Sequence, residues 1–310
     1  MLMSKRKKKI RIKKKNCLLL IIILFISIFT IGKISNHFKN NNKKENTIQK
    51  RETTPIKEEV KTEDEIKLEE LNNIHKEIDY FNMGYVNRYI SYKEKNPTLP
   101  IIQVIKDVNM QLDHNHYEDI IPAKNLNTEK ILVNKYYYLK DDYVPNNLEN
   151  LSTQYAISNM KMVKVAKEAF ERMAKEAYKE NLKIVAMSTY RSYNYQVNLW
   201  NKYAKQDGKE KADTYSGRAG HSEHQTGLAV DVYNEKENYT SFEKTKEFKW
   251  MQEHAHEYGF ILRFPKEKEK ETGYQYESWH YRYVGIDIAT YIKENNISFE
   301  EYYATVIKDW

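Results

Sequence analysis

Apolar positions change their spacing several times along the chain, and each change marks a part of it. The longest apolar run comes first: residues 17–35 read CLLLIIILFISIFTIGKIS, with no charge before Lys33. At ~1.5 Å of rise per residue, a helix of that length approaches the ~30 Å of a bilayer core, which predicts an N-terminal transmembrane anchor. Residues 36–67 are rich in Asn, Lys, Glu and Thr. They cannot bury enough surface to offset the entropy of ordering them, and they read as a flexible linker. Helical spacing returns with Leu68, Leu71 and Ile74, opening a helical lead-in over 68–130 that breaks at Pro97 and Pro100.

The remainder, 131–310, alternates strand-like and helix-like stretches with short breaks. A strand-like start at ILV (131–133) gives way to turn residues around Asp141, Asp142 and Pro145. From 159 to 181 Met162, Ala166, Ala169, Phe170, Met173 and Ala177 recur at spacings of three and four, the mark of a helix with one apolar face. A buried strand is predicted over 182–192, then a helix stopped by Gly208. Further strands are expected at 226–234 and 260–264, with a helix from Ser241 to Gly259 between them and two short helices at the C-terminus. Irregular alternation without a fixed repeat predicts an α+β fold: one catalytic-sized domain with a small antiparallel sheet and flanking helices, preceded by the anchor.

Charge sharpens this layout. The first sixteen residues carry nine lysines and arginines; without those nine, the formal net charge of +7 becomes −2 for the rest. No basic stripe recurs later, so a nucleic-acid partner is not expected. Basic residues ahead of the apolar run place residues 1–16 in the cytoplasm as a basic tail and the main domain outside a cell membrane that the chain crosses once. The apolar run is long, and FTIGKISNH offers no small-residue cleavage site, which favours a retained anchor over a signal peptide. Cys17 is the only cysteine; no intramolecular disulfide can form, and no cysteine in the main domain can ligate a metal.

Chemistry concentrates in two short stretches, HSEHQTGLAVDV (221–232) and ESWHYRY (277–283). Three ligands of His, Asp or Glu type and an open position make a catalytic metal site. On one extended strand His224 and Asp231 would lie ~23 Å apart and on opposite faces. They can share a metal only if the chain reverses between them, which Gly227 permits. Glu277, three residues before His280, can present a base next to a metal that the histidine holds. Spacing alone makes such a site possible, while an ordinary packed histidine beside Trp279 is the commoner reading of these residues by themselves.

Taken in order, STYRSYNYQ (188–196), GHSEHQTGLAVDV (220–232) and ESWHYRYVG (277–285) resemble the VanY-type D-alanyl-D-alanine carboxypeptidases, zinc metallopeptidases of peptidoglycan. The family pattern Ser-x-His-x-x-Gly-x-Ala-x-Asp, followed by Glu-x-Trp-His, is matched in full by Ser222, His224, Gly227, Ala229, Asp231, Glu277, Trp279 and His280. The resemblance spans roughly 130–310. It implies Zn2+ held by His224, Asp231 and His280, Glu277 as general base, and Arg191 steadying the charge that develops on the scissile carbonyl. Gln196 and Ser222 are implied to hold the substrate's terminal residue, as donors suited to a carboxylate, and Trp279 to form part of the pocket wall. His221 and Glu223 do not carry over; on strand alternation they face away from His224 and take supporting roles. His254 and His256 read as ordinary helix residues.

The expected activity is removal of the C-terminal D-alanine from peptidoglycan stem peptides or precursors ending in D-Ala-D-Ala, with no obligate protein partner. An endopeptidase of the same fold that cuts internal L,D or D,D bonds of the cross-links is the nearest alternative. A non-catalytic zinc-containing wall-binding module is another, against which Glu277 and Arg191 speak, since a structural site needs neither.

Overall fold

A computed structural model describes residues 73–310. The expected tail, anchor and linker lie outside the described residues, and among the described residues no helix is long and apolar enough to cross a membrane. In the lead-in, α1 (Val86–Lys95) and α2 (Ile101–Asn109) pack against each other through Tyr89, Val104, Ile105 and Val108. Pro100 sits immediately before α2, where its missing N–H costs nothing.

Two small sheets precede the main one: β1 (Ile121–Pro122) pairs with β2 (Tyr137–Tyr138), and β3 (Leu148–Asn150) with β4 (Lys161–Val163). Helix α3 (Lys164–Lys179) follows β4 directly and buries Ala166, Ala169, Phe170, Met173, Ala174 and Ala177. The helical spacing read from 159 onward therefore overshoots at its start. Met162 is buried, but it sits in β4, and the amide of Val163 donates to the Gly227 carbonyl (2.9 Å), a tertiary bond that holds this segment extended. Likewise 131–133 is buried without forming a strand.

The central sheet is antiparallel throughout, in the order β5-β6-β8-β7: β5 (Val185–Ser188), β6 (Ala229–Tyr233), β8 (His280–Tyr283) and β7 (Phe260–Leu262). Alternation gives its faces different jobs. Val230, Val232, Tyr281, Tyr283 and Phe260 join the core under α3, together with Trp250 and Met251 from α6 (Lys246–His254). Asp231, His280 and Arg282 face the other way, where the polar site is built. The expected α+β organisation around a small antiparallel sheet is what these residues adopt.

Helix α4 (Tyr193–Asp207) ends at Gly208 (φ +87°), as its sequence predicts, and the short α5 (Lys209–Asp213) continues from it. The helix expected over 241–259 is instead a 3-10 turn (Tyr239–Lys244), α6 and a second 3-10 turn (Ala255–Tyr258). Thr245 causes the break: it is extended, and its hydroxyl caps the amide of Phe248 at 3.1 Å, a stronger start signal than Ser241. A short α7 (Glu269–Thr272) leads toward β8, and α8 (Ile286–Asn295), α9 (Phe299–Tyr302) and a π-helical turn (Tyr303–Ile307) follow it. Their residues Ile288, Ala289, Ile292 and Phe299 pack with Leu132, Tyr136, Tyr137 and Ile261 in a second core.

Gly227 makes the reversal between His224 and Asp231. It has φ +69°, and its amide closes the 3-10 turn Glu223–Thr226 by donating to the His224 carbonyl (3.2 Å). A Cβ there would stand 2.9 Å from Leu148 Cδ2 and 3.0 Å from Val163 Cγ2. Gly227→Ala is therefore expected to destabilise the protein by about 2–4 kcal/mol, combining left-handed strain with overpacking. Chemical denaturation measures this, and an unchanged midpoint would contradict the turn.

Candidate active site

The site grows from three backbone features. First, β6 pairs with β8 so that Asp231 lies opposite His280. Second, the Gly227 turn folds His224 back over them, and the Arg191 amide ties that turn down by donating to the His224 carbonyl (3.2 Å). Third, the β5-β6 register shifts between Ala186 and Ser188, a bulge that sets Ser188 beside Asp231. The consequence is that Arg191 donates to Ser188 Oγ (2.9 and 2.6 Å) and to Asp231 Oδ2 (2.7 Å).

His224, Asp231 and His280 are all buried, and one ligand atom from each lies within 4.8 Å of the others. His224 Nδ1 is 2.6 Å from the Thr189 carbonyl, which can only accept, so that nitrogen carries the proton. Its Nε2 is left facing Asp231 Oδ2 at 3.2 Å. His280 presents its other nitrogen, with Nδ1 2.8 Å from Asp231 Oδ1. Two imidazoles and one carboxylate converging in this way fit a zinc ion as three protein ligands.

Glu277 stands beside them because the turn Glu277-Ser278-Trp279-His280 closes through the His280 amide to the Glu277 carbonyl (3.3 Å), leaving Oε2 4.0 Å from His280 Nδ1. Burial pushes its carboxyl up to about 8, with repulsion from Asp231 adding and His280 and Arg191 only partly offsetting. Asp231 moves the other way: burial opposes its charge, but His224, His280 and Arg191 hold it well below the usual carboxylate range. Burial also lowers His224. For His280, burial is outweighed by the bond to Asp231 and by the Glu223 and Glu277 carboxylates, which push the ring up to about 9.

These groups line a cleft of about 280 Å³ with Arg191, Gln196, Ser222 and Trp279, so all eight residues singled out in the sequence meet there. Trp279 forms wall, edge-on to Tyr239 at 5.0 Å. The expectation that Gln196 donates to a carboxylate needs correction. Its Nε2 is already spent on the Gly217 carbonyl (2.7 Å) and Ser216 Oγ (3.3 Å), and the atom left without a partner is the acceptor Oε1. That oxygen is itself buried, so Gln196 braces the cleft wall at Gly217 in place of offering a donor.

Glu223 and His221 were expected in supporting roles on a strand, and the backbone that carries them is different. Residues 223–226 form a 3-10 turn, not a strand, so alternation does not apply. Glu223 turns inward to Arg263 Nε and Arg282 Nη1 (both 2.8 Å), with Oε2 3.5 Å from His280 Nε2. His221 bonds the Asn134 carbonyl through Nδ1 (2.8 Å) and lines the cleft. Phe264, stacked on His280 at 4.9 Å and 22°, was not foreseen and no local motif announces it; Ser188 opens the STYRSYNYQ stretch, but its part as acceptor for Arg191 was not foreseen. His254, near Glu253 and Glu257, is remote from the cleft lining, as its sequence position predicts.

Three converging ligands and a neighbouring buried carboxyl, at the floor of an open cleft in a mixed helix-and-sheet domain, define a metal-dependent hydrolase. Residues 159–286 match the family model described as VanY, D-alanyl-D-alanine carboxypeptidase. Over 210 residues the chain is 37% identical to the putative carboxypeptidase YodJ of Bacillus subtilis, covering 64% of this chain and 77% of that one. Over 238 residues it is 32% identical to a D-alanyl-D-alanine carboxypeptidase of Enterococcus faecium, covering 72% and 74%. The solved structure of the LdcB LD-carboxypeptidase superposes with a TM-score of 0.57 at 36% identity, covering 61% of this chain and 92% of that one. The chain belongs to the VanY family of D-alanyl-D-alanine carboxypeptidases.

The raised Glu277 carboxyl has a stability consequence. Its folded value near 8, against an ordinary 4.5, means that the folded state keeps a proton which the unfolded chain has released, so stability falls as pH rises from 4.5 to 8. In metal-free protein Glu277→Gln removes that loss. The variant should melt above wild type at pH 8, by about 2–4 °C for each kcal/mol recovered, with the gap closing toward pH 4.5. Equal melting temperatures at both pH values would contradict the burial cost assigned to Glu277.

Proposed function

We propose that the protein is a zinc-dependent carboxypeptidase that removes the C-terminal D-alanine from peptidoglycan stem peptides. The observation that carries this reading is the Glu277 carboxyl held 4.0 Å from His280 at the rim of the His224, Asp231 and His280 cluster, inside the cleft. A wall-binding module has no use for a buried carboxyl held at that cost, and family membership favours the hydrolase.

Zinc, when held by His224, Asp231 and His280, supplies Lewis acidity and makes water acidic enough to deprotonate near neutral pH. Glu277 takes a proton from the attacking water and returns it to the nitrogen of the departing D-alanine as the C–N bond breaks. The products are free D-alanine and a peptide one residue shorter. Arg191, a permanent cation on the cleft wall, would stabilise negative charge developing on the carbonyl oxygen. Gln196 braces the cleft wall through the Gly217 carbonyl, while Trp279 and Tyr239 flank the substrate chain.

For location, the apolar run at 17–35 behind a basic tail supports a single-pass anchor with the domain outside the cytoplasm. The substrate lies on that side. A second reading is an L,D-carboxypeptidase acting on tetrapeptides, and the likeness to the LdcB structure favours it.

Mass spectrometry of a muramyl pentapeptide and a muramyl tetrapeptide, each incubated with protein and zinc, separates the two. Loss of one alanine from the pentapeptide is the expected result, reduced at least ~100-fold by Glu277→Gln, the scale of a lost general base. Loss from the tetrapeptide alone would replace the D,D reading by the L,D one. Both peptides intact would overturn the carboxypeptidase.

A further inference from the structure

Behind His280, on the side away from Asp231, lie four charged side chains that are almost wholly buried: Glu223, Arg263, Arg282 and Glu300. Their formal charges cancel. Glu223 Oε1 accepts from Arg263 Nε and Arg282 Nη1, both at 2.8 Å, and Glu300 grips Arg263 with two bonds of 2.8 and 2.6 Å. Arg282 is further tied to the carbonyls of Ile131 (2.7 Å), Glu129 (3.2 Å) and Tyr283 (2.9 Å), and Asn134 Nδ2 donates to Glu300 (3.1 Å). Within this saturated network one atom is left over. Glu223 Oε2 has no hydrogen-bond partner, and it lies 3.5 Å from His280 Nε2, which also has none.

We infer that Glu223 is a positioning residue for the metal site: its free carboxylate oxygen holds the proton of His280 on Nε2 and turns Nδ1, with its lone pair, toward Asp231 and the ion. This rests on the zinc-site reading above. Without the metal both ring nitrogens face carboxylates, Nδ1 at 2.8 Å from Asp231 Oδ1 and Nε2 at 3.5 Å from Glu223 Oε2; where zinc takes the place of the Nδ1 proton, the acceptor at Nε2 keeps the remaining one there. Phe264, stacked on the same ring, fixes its plane but not its proton. The two histidine ligands are thereby set in opposite senses, His224 by the Thr189 carbonyl on Nδ1 and His280 by Glu223 on Nε2. Arg263 and Arg282 keep Glu223 ionised and aimed. Glu300, outside the family-matched 159–286, braces Arg263 without reaching His280.

The test measures zinc affinity by competition with a chromophoric chelator, beside the melting temperature of each metal-free protein. Glu223→Gln should weaken zinc binding about ten- to a hundredfold, the usual effect of losing such a partner. Glu300→Gln, which removes a carboxylate from the same network, should lower the melting temperature while leaving zinc affinity within about threefold, below the range expected of a ligand-orienting partner. Should Glu223→Gln fail to fold, Glu223→Asp keeps the charge balance but withdraws the oxygen from His280, and it should lose affinity with little change in melting. Two-bond 1H–15N spectra of the zinc-loaded wild type should show His280 protonated on Nε2. Unchanged affinity in the Glu223 variants, equal losses for Glu223→Gln and Glu300→Gln, or a His280 proton on Nδ1 would each overturn the inference. A wild type that binds no zinc would overturn the metal reading itself.

Discussion

The pairing of Asp231 with His280 across β6 and β8 is the constraint on which the rest of the site depends. Two ligand side chains must share one face of a buried sheet, opposite each other, and a slip of one residue would send both into the hydrophobic core under α3. Val230, Val232 and Tyr281 prevent that slip, because they already fill the core face. The core therefore fixes the register, and the register fixes the ligands. Around that pair the bulge at Ser188 and the left-handed Gly227 bring in Arg191 and His224 from segments that a regular sheet would have carried away.

Burying so much charge demands compensation, and the protein supplies it in two separate sets. On the cleft side Asp231 faces two imidazoles and a guanidinium, a surplus of positive partners that a metal ion replaces in part. Behind it, two glutamates and two arginines neutralise one another. Glu277, in neither set, is a buried carboxyl with no arginine bonded to it, and in the metal-free protein it bears the cost as a raised pKa. A dication held by the neighbouring ligands would offset that cost and favour the ionised form that a general base needs.

Much of this was legible from the chain because the decisive residues sit in short runs. Ser222 to Asp231 and Glu277 to His280 each gather their site residues within ten positions, although the two runs meet only through strands paired 49 positions apart, and helices such as α4 announce their own ends. What stayed hidden depends on contacts across long separations. Arg263 meets Glu223 forty positions away, and Arg282 reaches back to Ile131; no local spacing signals either. Strand alternation failed at Glu223 because a 3-10 turn replaces the strand there, and the donor role expected of Gln196 failed because the carbonyl of Gly217 claims its amide hydrogens. In both cases the residue was visible and its surroundings were not.

The central claim is that one metal is held by two imidazoles of this domain and one carboxylate. X-ray absorption at the zinc edge of the loaded protein tests it most directly, read beside His224→Ala and His280→Ala. Four-coordinate zinc with two imidazole nitrogens at about 2.0–2.1 Å and oxygen in the remaining positions is expected, with one imidazole fewer in each variant. A wild-type spectrum with fewer than two imidazoles, or one that neither substitution alters, would contradict it.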